Sequence, residues 1–231
     1  KGDFILLLDD DSRIDKYWIS EHLKCLSYFN ADISAGVSMS AIGAPIPKHY
    51  SYFRWADQLD TGNVLLKRQV FEKCGLFDLQ FEGMRMGDGE FGARAYKNGL
   101  RIINNSNAKR IHLKTSYGGL REISGWDSFR PINVLAPRPI PSVLYFYRKY
   151  WDNKASILSL LITIPISLMS YKLKGKKVGN YISIMFFLIL CPLVFIQVIR
   201  SWLFSSKMLI SLASGNDLKN SFASSVFLNS L

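Results

Sequence analysis

From Val178 to Ile199 the chain runs for 22 residues without Asp, Glu, Lys or Arg. A bilayer's hydrocarbon core takes roughly 20 apolar residues in a helix, so this run is long enough to span one, and Pro192 inside it is tolerated in that setting. A second run, Ala155 to Tyr171, gives 17 uncharged residues around Pro165, at the lower edge of spanning length. Lys172, Lys174, Lys176 and Lys177 separate the two. Lys-rich loops stay on the cytoplasmic side. The expectation is a first segment that lies in the interface or re-enters, followed by one true crossing. The alternative is a buried soluble hairpin, which a 22-residue uncharged run argues against in a chain of 231 residues.

Charge divides the chain in the same place. Residues 1–135 carry a net charge of +2 and residues 136–231 a net charge of +9, within a total of +11. A basic excess among nucleic-acid-type motifs would suggest a polyanion partner. Here it sits among apolar runs and points to an anionic membrane surface, with no nucleic acid. The 15 Phe, 11 Tyr and 5 Trp exclude a disordered chain. Cys25, Cys74 and Cys191 are odd in number and far apart, and read as reduced thiols. The domain division expected is 1–135 and 136–231.

The first part alternates strand-like and helix-like segments, which predicts an α/β sandwich. Strands are expected at Asp3–Leu8, Asp32–Met39, Gly62–Leu66, Leu100–Ile103 and Ala108–His112. Helices are expected at Lys16–Phe29 with Asp15 as cap, at Arg68–Cys74 and at Asp88–Asn98, with Gly75 and Gly99 as stops. In the second part, Tyr145 to Trp151 mixes aromatic rings with Arg148 and Lys149, as interfacial anchors do.

Asp9, Asp10 and Asp11 stand where the apolar strand FILLL leaves the sheet. Open α/β sheets bind ligands at the carboxyl ends of their strands, and three adjacent carboxylates call for a cation. Asp9 and Asp11 are two apart on extended backbone and point to one side, which suits a hard divalent cation shared with phosphate oxygens. An EF-hand loop is excluded, because Arg13 and Ile14 fill its fifth and sixth positions. GDGEFG at Gly87–Gly92 matches the dinucleotide pattern, but no apolar strand precedes it and Asp88 and Glu90 would repel a pyrophosphate. It reads instead as two carboxylates at a helix N-terminus, where ionised forms are favoured. An ionised Asp88 in a cleft is a candidate general base. His112 ends a strand in KRIHLK and is a candidate further ligand. Gly118-Gly119 with Arg121 forms a basic loop suited to phosphate.

In order and spacing these motifs resemble the family-2 glycosyltransferases with a GT-A fold, over roughly Gly2 to Arg121. FILLLDDDSRID resembles the strand that ends in the D-x-D motif, and TGNVLLKRQVFEKCGLFD the acceptor-side segment. GDGEFGARAYKNGLRI is similar to the stretch carrying the base, KRIHLK to the late strand with its His, and GGLR to a donor-phosphate loop. The resemblance implies a GT-A-like mixed sheet flanked by helices, followed by the membrane-associated helical region. It implies Asp9 and Asp11 contacting a nucleotide-sugar donor and its Mg2+ or Mn2+, with His112 assisting and Arg121 on the diphosphate. It implies Asp88 as base, Glu90 orienting the acceptor or the helix, and Gly62 and Asn63 lining the acceptor site. Gly87 stands where the family has a Glu, and no Q-x-x-R-W motif of processive synthases occurs, which favours transfer of a single sugar. The first βαβ portion, which holds the nucleotide base in that family, is expected to precede Lys1.

The function expected is an inverting, metal-dependent glycosyltransferase acting on a lipid-linked or polysaccharide acceptor of the cell envelope. The catalytic part would lie on the cytoplasmic face of the inner (plasma) membrane. Two rivals are a non-catalytic, membrane-anchored scaffold of the same fold and a nucleotidyltransferase that uses the Asp cluster for its metal.

Overall fold

In the computed structural model, residues 2–41, 43, 46–114, 129, 133–168 and 177–213 are described, with backbone only for 177–180, 182–184 and 213. They fall into two compact units. The first holds residues 2–79 and 87–114, and the second holds 80–86 and the described residues from 129 onward.

The first unit is a mixed α/β sandwich. Its strands are β1 (Phe4–Leu8), β2 (Ser12–Ile14), β3 (Ile33–Ser40), β4 (Arg54–Ala56), β5 (Asn63–Lys67) and β6 (Ile102–His112). They form one sheet in the order β1-β5-β3-β6-β2, with β4 also paired to β6. β3 and β6 are parallel and the remaining pairs antiparallel. Val64, Leu65 and Leu66 of β5 are all buried, because helices cover both faces. Val64 and Leu66 pack with Val70 and Phe71 of α2 (Gln69–Cys74) and with Phe91 and Ala95 of α3 (Gly87–Lys97). Leu65 turns the other way, to Cys25 and Leu26 of α1 (Trp18–Tyr28).

Three details depart from the expected elements. The run from Leu100 to His112 holds one strand, Ile102–His112, where two were expected. The polar stretch between its apolar ends is taken up by a register shift, with Gly36 opposite Asn105 but Val37 opposite Lys109. A Cβ on Gly36 would strike the Ala108 carbonyl and the Asn63 amide. β2 and β4 have three residues each, too few to show a period. Asp15 accepts from the Tyr17 amide at 2.7 Å, a turn that ends just before the helix; Tyr17 is the N-cap and carries no side-chain cap.

The bulge is held by a buried polar network. Asn63 Nδ2 donates to the carbonyls of Val37 and Ala108, each at 3.0 Å. Asn63 Oδ1 accepts from Trp18 Nε1 at 3.0 Å and faces His22 Nε2 at 3.1 Å. With Oδ1 an acceptor only, Nε2 carries the proton, so Nδ1 accepts from the Ser34 hydroxyl at 2.8 Å. Ser34 Oγ in turn accepts from Asn105 Nδ2 at 3.2 Å. Every member is satisfied with His22 neutral, and a proton on Nδ1 would break the chain.

The second unit holds α4 (Pro141–Tyr150), α5 (Asn153–Ser167) and α6 (Lys177–Ala213). Asp152 caps α5 by accepting from the Ala155 amide at 2.6 Å. Leu144, Leu160, Ile164 and Val194 join the three helices in one cluster. Tyr145 and Phe146 are fully buried, which corrects the reading of Tyr145–Trp151 as an interfacial belt: the helix turns these two rings into the core. Arg148 also faces inward, stacked 4.1 Å from the Trp202 ring and donating to Ser205 and Ser206 Oγ at 2.8 Å. Tyr147 and Tyr150 are partly buried, and Trp151 is half exposed.

The His22 network sets an acid limit on stability. Burial pushes His22 down from the ordinary 6.5 to about 4. The unfolded chain therefore takes up a proton near pH 6.5 and the folded chain only near 4, so stability falls as pH drops through that window. The loss expected from this group is about 3 kcal/mol by pH 4. Thermal unfolding followed from pH 7.5 to 4 checks it, with His22→Gln as the comparison. A wild-type slope no steeper than the variant's over that range refutes it.

Candidate active site

The site forms where β1 and β6 end. Asp9 follows β1, and its amide donates to the Gly62 carbonyl at 3.2 Å. Asp11 precedes β2, and its carbonyl accepts from the Leu113 amide at 2.8 Å. β1 and β2 stand at opposite ends of the sheet order, so the three aspartates form the link that crosses between them. The link brings Asp9, Asp11 and His112 together, with one ligand atom from each all within 4.8 Å of one another. His112 Nε2 lies 3.1 Å from Asp11 Oδ1. Two carboxylates and an imidazole make a donor set that fits a hard or borderline divalent cation such as Mg2+ or Mn2+.

Two residues absent from the sequence reading organise this site. Arg110 is 2% exposed and reaches four side chains. Its Nη1 donates to Asp9 Oδ2 at 2.6 Å and to Ser12 Oγ at 2.9 Å. Its Nε donates to Ser38 Oγ at 2.6 Å and its Nη2 to Asp60 Oδ2 at 3.0 Å. Asp60 also accepts from the Ser38 hydroxyl at 2.8 Å and, through Oδ1, from the Gly62 amide at 2.9 Å. The signal for Arg110 was its place two residues before His112, which puts both side chains on one face of the strand. Asp60 sits two residues before Gly62, in the spacing of an Asx turn.

Gly62 stands against this cluster: a Cβ there would collide with the Asp9 carboxylate and the Arg110 guanidinium. Asn63, expected to line an acceptor site, is fully buried with its amide committed to the network beneath the bulge. It serves the fold, because the carbonyls freed by the bulge need donors. Glu90 is likewise fully buried. It accepts from Arg94 Nη2 at 2.9 Å and from Nε at 3.2 Å. Arg94 Nη1 reaches on to the carbonyls of Cys74 and Leu76 at 2.5 and 2.8 Å. Of the two roles expected for Glu90, this contact is the one on the helix: it ties α3 to the end of α2.

Asp88 begins α3, and its Oδ1 accepts from the Gly89 amide at 2.8 Å. Its carboxyl is shifted upward, opposite to the expectation from the helix end. Burial is the largest cause, and the charges of Asp60 and Asp9 add to it against the favourable amide contacts. Arg121 and the Gly118-Gly119 loop lie outside the described residues.

The sequence matches no protein-family model and no curated protein. Among solved structures the chain is similar to S. aureus TarS 1–349, at 16% identity and a TM-score of 0.39, over 49% of this chain and 36% of that one. The same TarS segment in complex with UDP-GlcNAc aligns at 14% identity and a TM-score of 0.42, over 73% and 56%. The chain thus spans less than two thirds of either neighbour's length. At this degree of likeness the chemistry has to be read from the chain's own side chains.

Proposed function

We propose that the protein is an inverting glycosyltransferase that moves one sugar from a nucleotide-sugar donor to a hydroxyl of a lipid-linked or polysaccharide acceptor. One observation carries this reading. Asp9, Asp11 and His112 converge in a single cluster, and Asp88 stands in the first turn of α3 in the same unit, with burial raising its carboxyl. That combination provides a cation-type donor set and, in the same unit, a carboxylate of enhanced basicity.

In the reaction, Asp88 accepts the proton of the acceptor hydroxyl. Its Oδ1 is held by the Gly89 amide, which leaves Oδ2 for the proton. A carboxylate raised above its ordinary value is a stronger base when ionised. The acceptor oxygen bonds to the anomeric carbon as the bond to the diphosphate oxygen breaks on the opposite face, and configuration inverts. Asp9, Asp11 and His112 would hold Mg2+ or Mn2+, which supplies positive charge to the departing diphosphate. Glu90 and Arg94 keep α3 and its base in place.

The membrane part of the reading rests on the second unit. Met185–Leu212 is, among the described residues, the one helical stretch long and apolar enough to cross a bilayer. Its outward face carries Met185, Phe186, Leu188, Ile189, Phe195 and Ile196, whereas Gln197, Ser201 and Ser205 are buried. Such an inverted distribution suits hydrocarbon better than water. α5 has 15 residues, about 22 Å of helix. That is short of a crossing, and Leu158, Leu161 and Ile162 are exposed on it. α5 is assigned to the interface and α6 to the crossing, with the first unit on the cytoplasmic face of the plasma membrane.

Two measurements test this. Full-length protein in membranes, given Mn2+ or Mg2+ and a panel of uridine, guanosine and thymidine diphosphate sugars, should release nucleoside diphosphate. Asp88→Asn should slow that release by about 10²- to 10⁴-fold. The wild-type rate should fall on acidification at a pH above the ordinary carboxylate range, because Asp88 must be ionised to act. Equal release by both proteins would remove Asp88 as the base. Separately, the chain should stay with the membrane through an alkaline carbonate wash, and recovery in the supernatant would refute the crossing.

A further inference from the structure

We infer that Arg110 is a built-in counter-cation of the carboxylate site, which keeps the free protein's affinity for divalent cations low and makes cation binding depend on the arrival of a diphosphate. This rests on the metal-site reading given above. The guanidinium is 2% exposed and bonded to four side chains, so its charge is a fixed part of the site. It touches Asp9, one of the three cation-ligand side chains, at 2.6 Å.

Asp9 and Asp60 are 44% and 43% exposed. Each turns one oxygen to Arg110, which screens both carboxylates from inside. Asp9 Oδ1 has no hydrogen-bond donor among the described residues, so a cation approaching from solvent can still reach it. That cation also meets the like charge of the neighbouring guanidinium. A like charge at such range in a partly buried site is worth about tenfold or more in affinity. A diphosphate brings several negative charges and reverses the balance, so the cation is held when it arrives with the diphosphate.

Arg110 is thus a positioning residue that acts through Asp9. Its partners also explain why the arrangement is rigid. Ser12, Ser38, Asp9 and Asp60 each fix one edge of the guanidinium, and Gly62 leaves the space in which Asp9 and Arg110 meet. The charge cannot swing aside when a cation approaches.

The test is calorimetric titration of the full chain with Mn2+ alone and with preformed Mn2+–pyrophosphate, for wild type, Arg110→Met and Arg110→Lys. Wild type should take the pyrophosphate complex at least tenfold more tightly than Mn2+ alone. Arg110→Met, which removes the charge, should bind Mn2+ alone at least tenfold more tightly than wild type. Arg110→Lys, which keeps the charge but loses the fork, should stay within a few-fold of wild type. A purely structural Arg110 would make both variants lose binding together, and that outcome overturns the inference. Equal wild-type affinity for Mn2+ and for the complex overturns it too, while leaving the metal reading in place. No heat from either titrant in any folded form would refute the metal reading itself, and the inference with it.

Discussion

The contact between Arg110 and the carboxylates of Asp9 and Asp60 is the tie on which the first unit's site depends. Three residues carry the chain from β1 to β2, strands at opposite ends of the sheet order. Three adjacent carboxylates on that link repel one another, and left alone they would spread toward solvent. Arg110 holds the link by one end, at Asp9, and holds the approach to β5 by the other, at Asp60. The guanidinium fork suits this task, because it presents donors in several directions at once and stays charged. A Lys at the same place could neutralise one carboxylate but not span two.

Beneath that tie lies a second constraint, the register shift in the β3–β6 pairing. The shift frees the carbonyls of Val37 and Ala108 from the ladder. Buried carbonyls without donors are costly, of the order of 1–3 kcal/mol each, so the fold places an amide there. Asn63 meets both carbonyls with Nδ2 and uses Oδ1 for Trp18 and His22. Its chain neighbour Gly62 packs against Asp9 and Arg110. The Gly-Asn pair therefore joins the polar network to the charged site. A change in the register of β6 would move Arg110 and His112 together, since both ride on the strand beyond the shift.

The sequence made the periodic elements legible. β1, β3, β5, α2 and α3 lie within a residue or two of their expected bounds, because short apolar runs and Gly stops report local physics. β2 and β4, of three residues each, carry no periodicity. The single long β6 was read as two strands because its middle, Asn104 to Asn107, is polar. That polarity belongs to the bulge and its network, which only tertiary pairing reveals. In the site, Asp9, Asp11, His112 and Asp88 could be picked out because their residue types announce chemistry at element ends. Arg110 and Asp60 announce less, because a basic residue on a strand usually faces solvent and an Asp two residues before a Gly reads as a turn. The direction of the Asp88 shift was misjudged for a related reason. A helix N-terminus is visible in sequence, but burial beside two further carboxylates is a property of the assembled fold.

The second unit buries several polar side chains beside its apolar core, and the proposed membrane setting gives that a physical reason. A water-soluble helical bundle hides its apolar side chains and exposes its polar ones. Here Ser142, Ser156, Gln197, Ser201 and Ser205 are buried, and a long row of Leu, Ile, Phe and Met faces outward. Small hydroxyl residues let helices approach closely where surrounding lipid offers no hydrophobic drive to pack. Arg148 fits the same logic: its charge is turned inward onto the Trp202 ring, the Trp202 carbonyl and two serine hydroxyls. Arg200 and Lys207, by contrast, are exposed on α6 beyond the uncharged run. The helix therefore changes character along its length, from an outward face without charges to one where cations alternate with Leu203, Phe204 and Ile210. On the proposed membrane reading, an apolar band that gives way to basic and aromatic side chains is what the passage from hydrocarbon to the headgroup layer would require. On that reading, Arg200 and Lys207 would set the depth at which the helix stops.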